Sequence, residues 1–184
     1  MDEMDSKQYV NWFRQSTPYI NAYRGKVFVI LLPGEAIGHD NFWNIAHDIT
    51  LLNSLGVKLV LCFGARQQID SALAKANIVS DTHDIVTHQV HNKMRVTDSA
   101  SLREVRHAVT HVRYALEAQF AHMTGPPQAG AEDLRIVTGN FVTAQPVGVI
   151  DGVDLEFTGE TRKLDVISLR GQMNHADIVL MSPL

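Results

Sequence analysis

Two stretches place a glycine directly after an apolar run: Pro33-Gly34-Glu35 follows Val27 to Leu32, and Gly64-Ala65-Arg66 follows Val57 to Phe63. In an open α/β sheet such junctions lie beyond the carboxyl ends of the strands. There glycine admits a ligand close to the backbone, and the N-terminus of the next helix favours negative charge. A phosphate or a carboxylate is the group they would hold, although a tight turn with no ligand needs the same glycines. Arg95, in "MRVTDSASL", stands just before a helix start. Its paired donors could grip a carboxylate there, or close a structural salt bridge.

The remaining inventory for chemistry is thin. His107 and His111 are four apart, and His83, His88 and His91 cluster upstream. No carboxylate or cysteine completes a metal-ligand pattern around them, and His107 and His111 fall off the apolar stripe of their helix, so no metal is expected. Neither a nucleophile elbow nor a glycine-lysine phosphate loop is present, and no catalytic residue is assigned. The single cysteine, Cys62, lies inside an apolar run and reads as a buried, reduced thiol.

The elements that must position these residues follow from periodicity. Asp5 or Ser6 is placed to cap a short helix over 6–15 with an aromatic face of Tyr9, Trp12 and Phe13, which Pro18 would stop. Lys26 to Leu32 and Val57 to Phe63 are continuous apolar strands. Between and after them, Phe42, Ile45, Ala46, Ile49 and Leu52, then Ile69, Ala72, Leu73 and Ala76, mark helix faces, with Gly56 ending the first. Residues 77–93 read as loop or short irregular strand. Thr97 or Asp98 caps a long helix with the stripe Leu102, Val105, Val109, Val112, Leu116 and Phe120, closed by Gly125-Pro126-Pro127. Leu134 to Thr138 is a strand, residues 140–165 read as hairpins over one edge of the sheet, and "ADIVLMSPL" is one more buried strand. The fold class is α/β, a mainly parallel sheet with helices on both faces.

Composition bounds the partners. The chain has 184 residues, is 45% hydrophobic and 20% charged, and carries a formal net charge of -4 with both signs interspersed. No basic face is expected, hence no nucleic acid and no polybasic membrane contact. No apolar run approaches the roughly 18 residues of a membrane span, and a cytoplasmic location is expected.

In order and spacing, "FRQSTPYINAYRGKVFVILLPGEAI", "LGVKLVLCFGARQQID", "MRVTDSASL", "IVTGNFVTAQPVGVIDGVD" and "FTGETRKLD" carry a resemblance that spans nearly the whole chain. The chain resembles the N-terminal amino-acid-kinase-like domain of bacterial N-acetylglutamate synthase, and more distantly acetylglutamate kinase. The resemblance implies an N-terminal oligomerisation helix over 1–20 and, over 21–184, a partial amino-acid-kinase-like domain truncated after its N-terminal lobe. The family's acetyltransferase domain would be absent, with acetyl-CoA its substrate and no cofactor for this chain.

The resemblance also implies roles. Where active kinases carry Lys-x-Gly-Gly, this sequence has Leu31, Leu32, Pro33 and Gly34; leucine cannot neutralise phosphoryl charge, and proline lacks a backbone donor. A His-Gly-Gly-Gly loop is matched by Phe63, Gly64, Ala65 and Arg66, and Arg95 matches a carboxylate-binding arginine. Leu31, Pro33, Gly34, Gly64, Ala65, Arg66 and Arg95 are therefore expected to outline a vestigial substrate pocket. Tyr19, in Pro18-Tyr19-Ile20, is the expected L-arginine contact. A regulatory, arginine-sensing assembly part of the synthase of arginine biosynthesis is implied, homo-oligomeric as a dimer or a hexamer and non-catalytic alone. The alternatives are an active acylamino-acid kinase, for which Lys26 or Lys58 would have to replace the lost lysine, and a dimerisation module without a ligand.

Overall fold

The structure, a computed structural model, describes residues 3–87, 90–123 and 134–184. In chain order its elements are α1 (Glu3–Tyr23), β1 (Val27–Leu32), α2 (Gly34–Ile37), α3 (Phe42–Ser54), β2 (Lys58–Phe63), α4 (Arg66–Lys75), β3 (Thr82–Thr87), β4 (Val90–Arg95), α5 (Ser99–Ala121), β5 (Ile136–Thr138), β6 (Val142–Pro146), β7 (Val149–Ile150), β8 (Val153–Asp154), β9 (Gly159–Leu164), α6 (Val166–Gln172) and β10 (Ile178–Met181). The expected closure at Gly125-Pro126-Pro127, and His88, lie outside the described residues.

Four apolar strands form one parallel sheet in the order β1-β2-β10-β5. Because a strand's side chains alternate, each contributes to two faces. Leu32, Leu59, Leu61, Phe63, Ile178 and Leu180 face α3 and α5, whose Ala46, Ile49, Val105, Val109, Val112, Leu116 and Phe120 complete the larger core. Val60 and Val179 face the other way, onto Phe141 and Leu169 of α6. The α/β class, the parallel sheet and helices on both faces are thus observed. Gly56, at φ +90°, lets the chain turn sharply between α3 and β2.

Three local expectations are corrected. Pro18 does not stop α1, which runs on to Tyr23. A proline removes only one helical hydrogen bond, and the last turn is held from outside, by the edge-on contact of Tyr23 with Phe28 (centroids 5.4 Å apart) and by Arg24 N–H donating to Ile20 O at 2.9 Å. β1 is not buried on both faces, since Val29 and Leu31 are 69% and 71% exposed at the open edge of the sheet. β3 and β4 pair antiparallel as a hairpin, with Asp84 opposite Lys93. Its polar sequence hid it, because main-chain pairing does not require apolar alternation.

Candidate functional site

A parallel sheet brings all its strand exits to one edge, so the two glycine junctions meet. Gly64 N–H donates to Leu32 O at 2.8 Å, continuing the ladder past β2. Pro33 O accepts from Ala36 and Ile37 N–H, starting the short α2. A Cβ on Gly34 would stand 2.5 Å from Gln68 Oε1 and 3.2 Å from both Ala65 Cα and Arg66 N, and a Cβ on Gly64 would stand 3.5 Å from Gly34 N. The bare backbone at Gly34 is therefore what lets the first turn seat against the start of α4. Ala65, buried, precedes that helix without a side-chain cap, and Arg66 opens it with an exposed guanidinium.

Gln68 was not visible in the sequence as a site residue, yet it locks the two turns together. Its Nε2 donates to Gly34 O at 2.8 Å, while its Oε1 is buried without a partner. Only the fold could show this, because the two residues are 34 apart in the chain.

The other expected site residues are more dispersed. Leu31 projects from the opposite face of β1 to that of Leu32, away from the main core, and is exposed. Arg95 leaves the end of β4 and is ion-paired with Asp70 of α4. Its backbone carbonyl accepts a hydrogen bond from Thr158 Oγ1, which also bonds Thr97 Oγ1 at 3.0 Å. Of its two sequence readings, the structural salt bridge is the one the side chain makes. Tyr19, 68% exposed, sits far from these turns in chain and space. It lines an apolar groove of about 430 Å³ with Trp12, Phe13, Tyr23, Phe28 and Leu55, at the amino-terminal end of β1.

The electrostatics favour holding charge over moving protons. The first turn of α4 offers uncapped N–H groups beside Arg66, a setting that attracts an anion. Lys58, a kinase-lysine candidate, starts β2 and donates from Nζ to Met173 O at 2.8 Å, and Lys26 precedes β1, so both lie at the amino-terminal edge. Asp98 caps α5 by accepting from Ser101 N at 2.7 Å, and its hydrogen bonds from Ser101 hold its carboxyl below the usual range. Asp165 caps α6 in the same way through Ser168, with the same direction of shift. Cys62 is pushed up by burial, its Sγ 4.0 Å from Met181 Sδ. Asp98 and Asp165 are committed to capping their helices. Among the described residues no group of three or more His, Cys, Asp or Glu is placed to hold a metal, and no helix is long and apolar enough to cross a membrane.

No family model matches the chain. A curated amino-acid acetyltransferase of Azotobacter vinelandii is 47% identical over 179 residues, 97% of this chain and 39% of the relative. N-acetylglutamate synthase of Neisseria gonorrhoeae, solved with coenzyme A and N-acetyl-glutamate, superposes with a TM-score of 0.78 and 34% identity, over 94% of this chain and 37% of that one. The same enzyme solved with coenzyme A and L-arginine gives 0.78 and 35%, over 94% and 39%. The chain thus spans about two fifths of the length of the relatives it matches.

These relatives correct what the resemblance implied. The matched proteins carry the acetyltransferase name, and the solved ones hold coenzyme A. On those findings the expected identification as a kinase-like regulatory part without a catalytic role does not hold, since the proteins the chain is similar to are named amino-acid acetyltransferases. The kinase and the ligand-free dimerisation module fall with it. The same coenzyme A complexes overturn the expectation that acetyl-CoA belongs only to a separate, absent domain. The physical reason is general: strand-and-turn motifs identify a scaffold, and a scaffold does not fix the chemistry it serves.

Proposed function

We propose that the chain works as part of an amino-acid acetyltransferase that moves acetyl from acetyl-CoA to the amine of L-glutamate, with N-acetylglutamate as product. The observation that carries this reading is 47% identity to an amino-acid acetyltransferase sustained over 97% of the chain. Neighbours complexed with coenzyme A, N-acetyl-glutamate and L-arginine supply the ligand classes. L-arginine is a further ligand in this reading, and the protein assembles as a homo-oligomer. The aromatic face of α1, with Tyr9, Trp12 and Phe13 half or more exposed, supports the assembly.

What this chain's own residues contribute is binding and orientation. The uncapped start of α4 and Arg66 suit a carboxylate or phosphate of the ligand, while the packed turns at Gly34 and Gly64 hold that start rigid. Titration calorimetry of the chain with coenzyme A, N-acetylglutamate and L-arginine, together with an assay of thiol released from acetyl-CoA by L-glutamate, tests the proposal. Saturable binding of at least one ligand supports it. No binding by any of them, with no thiol release, removes it.

A further inference from the structure

The other half of the carboxyl edge, where β10 and β5 end, holds a cleft of about 490 Å³ that no sequence motif announced. Arg106, Thr110 and Arg113 reach it from α5, and Thr138, Asn140 and Ser182 from the strand exits. The offsets of four and seven residues place the three α5 positions on one face of the helix, within two turns. No acidic side chain lines the cleft, although Leu184, the last residue of the sequence, is part of its wall. Among the described residues Arg106 makes no ion pair and Asn140 no side-chain hydrogen bond. Arg113 Nε is shielded from solvent with no hydrogen-bond partner and forms a long ion pair, 3.7 Å, with Glu117 Oε1 one turn on.

Two guanidinium groups sharing a cleft repel one another and gain nothing from each other. Their donors, an idle amide and three hydroxyls converge on a space that a carboxylate ligand or a phosphate would complete. The cleft far exceeds the volume of a bare anion, and Val109 and Leu180 give it apolar wall, so the ligand carries an organic body as well. The geometry points to a second binding site, between α5 and the exits of β5 and β10, for a small organic molecule bearing a phosphate or carboxylate group. This site is separate from the β1–β2 turns, and it stands whichever reaction the relatives perform.

The test uses the 184-residue chain, isotope-labelled and titrated at constant ionic strength with inorganic phosphate and, separately, with succinate. Binding in the millimolar range, with amide shifts centred on Gly139, Asn140 and Ser182, is expected. Phosphate alone would mark a phosphoryl ligand, and succinate alone a carboxylate. Arg106→Ala and Arg113→Ala should each weaken binding about tenfold or more, the scale of a lost hydrogen bond to a charged group. Arg103→Ala, which removes an exposed arginine ion-paired with Glu104 on the same helix, should leave binding unchanged. Thermal midpoints of all variants verify folding, and Arg106, exposed and unpaired, carries the comparison if Arg113→Ala fails to fold. Absence of saturable shifts with both probes, or equal binding by Arg106→Ala and the parent chain, overturns the site.

Discussion

The two edges of the sheet are built on opposite principles. At the amino-terminal edge, α1 leaves large rings on view: Tyr9, Trp12 and Tyr19 are each more than 60% exposed around an apolar groove. At the carboxyl edge between β1 and β2 the opposite holds, because Gly34 and Ala65 are buried and even the glycine's missing side chain is accounted for by neighbouring atoms. The glycine turn that invites a functional reading is close-packed, while the helix that looks like an appendage carries unused binding surface. Chemically suggestive residue types therefore locate an edge of the fold, and packing decides which groups there remain available.

The largest effect should come from filling the packed turn. Gly34→Val forces the Gln68 side chain out and presses on the backbone of Ala65 and Arg66, so a loss of about 1–3 kcal/mol is expected. Urea unfolding measures it, and a loss below about 0.5 kcal/mol would break the contrast between the edges. Gln68→Ala comes next, at about 1 kcal/mol for the lost bond to Gly34 O. Arg95 and Asp70 rank third: the aspartate is 55% exposed, so a double-mutant cycle should return a coupling of only about 0.2–1 kcal/mol. Last, Tyr19→Ala should move stability by less than about 0.5 kcal/mol, the range for exposed positions. A larger loss in the chain as a monomer would show that the groove is part of the core.

Much of this architecture is legible in residue types. β2 and β10 stand out because buried parallel strands are continuously apolar, β1 because it is equally apolar although its outer face is exposed, and α5 because its stripe repeats every three or four residues with Asp98 as its cap. The meeting of Gly34 with Gly64 follows once the strands are taken as parallel neighbours. The rest depends on contacts distant in sequence. Tyr23 against Phe28 carries α1 past Pro18, main-chain pairing joins β3 to β4, and Arg95 chooses Asp70 from 25 residues away. The cleft at Arg106 and Arg113 was hidden because its walls come from three separate segments. Which reaction the scaffold serves was not legible at all, since Gly34, Gly64 and Arg95 suit an anion whatever chemistry follows.

The proposed function rests on this chain itself binding at least one of the ligands found in its solved relatives. Calorimetric titration of the 184-residue chain with coenzyme A, N-acetylglutamate and L-arginine in parallel tests it most directly. The account expects saturable one-site heat from at least one of the three. Flat titrations with all three, from a chain shown to be folded by cooperative thermal unfolding, would contradict it.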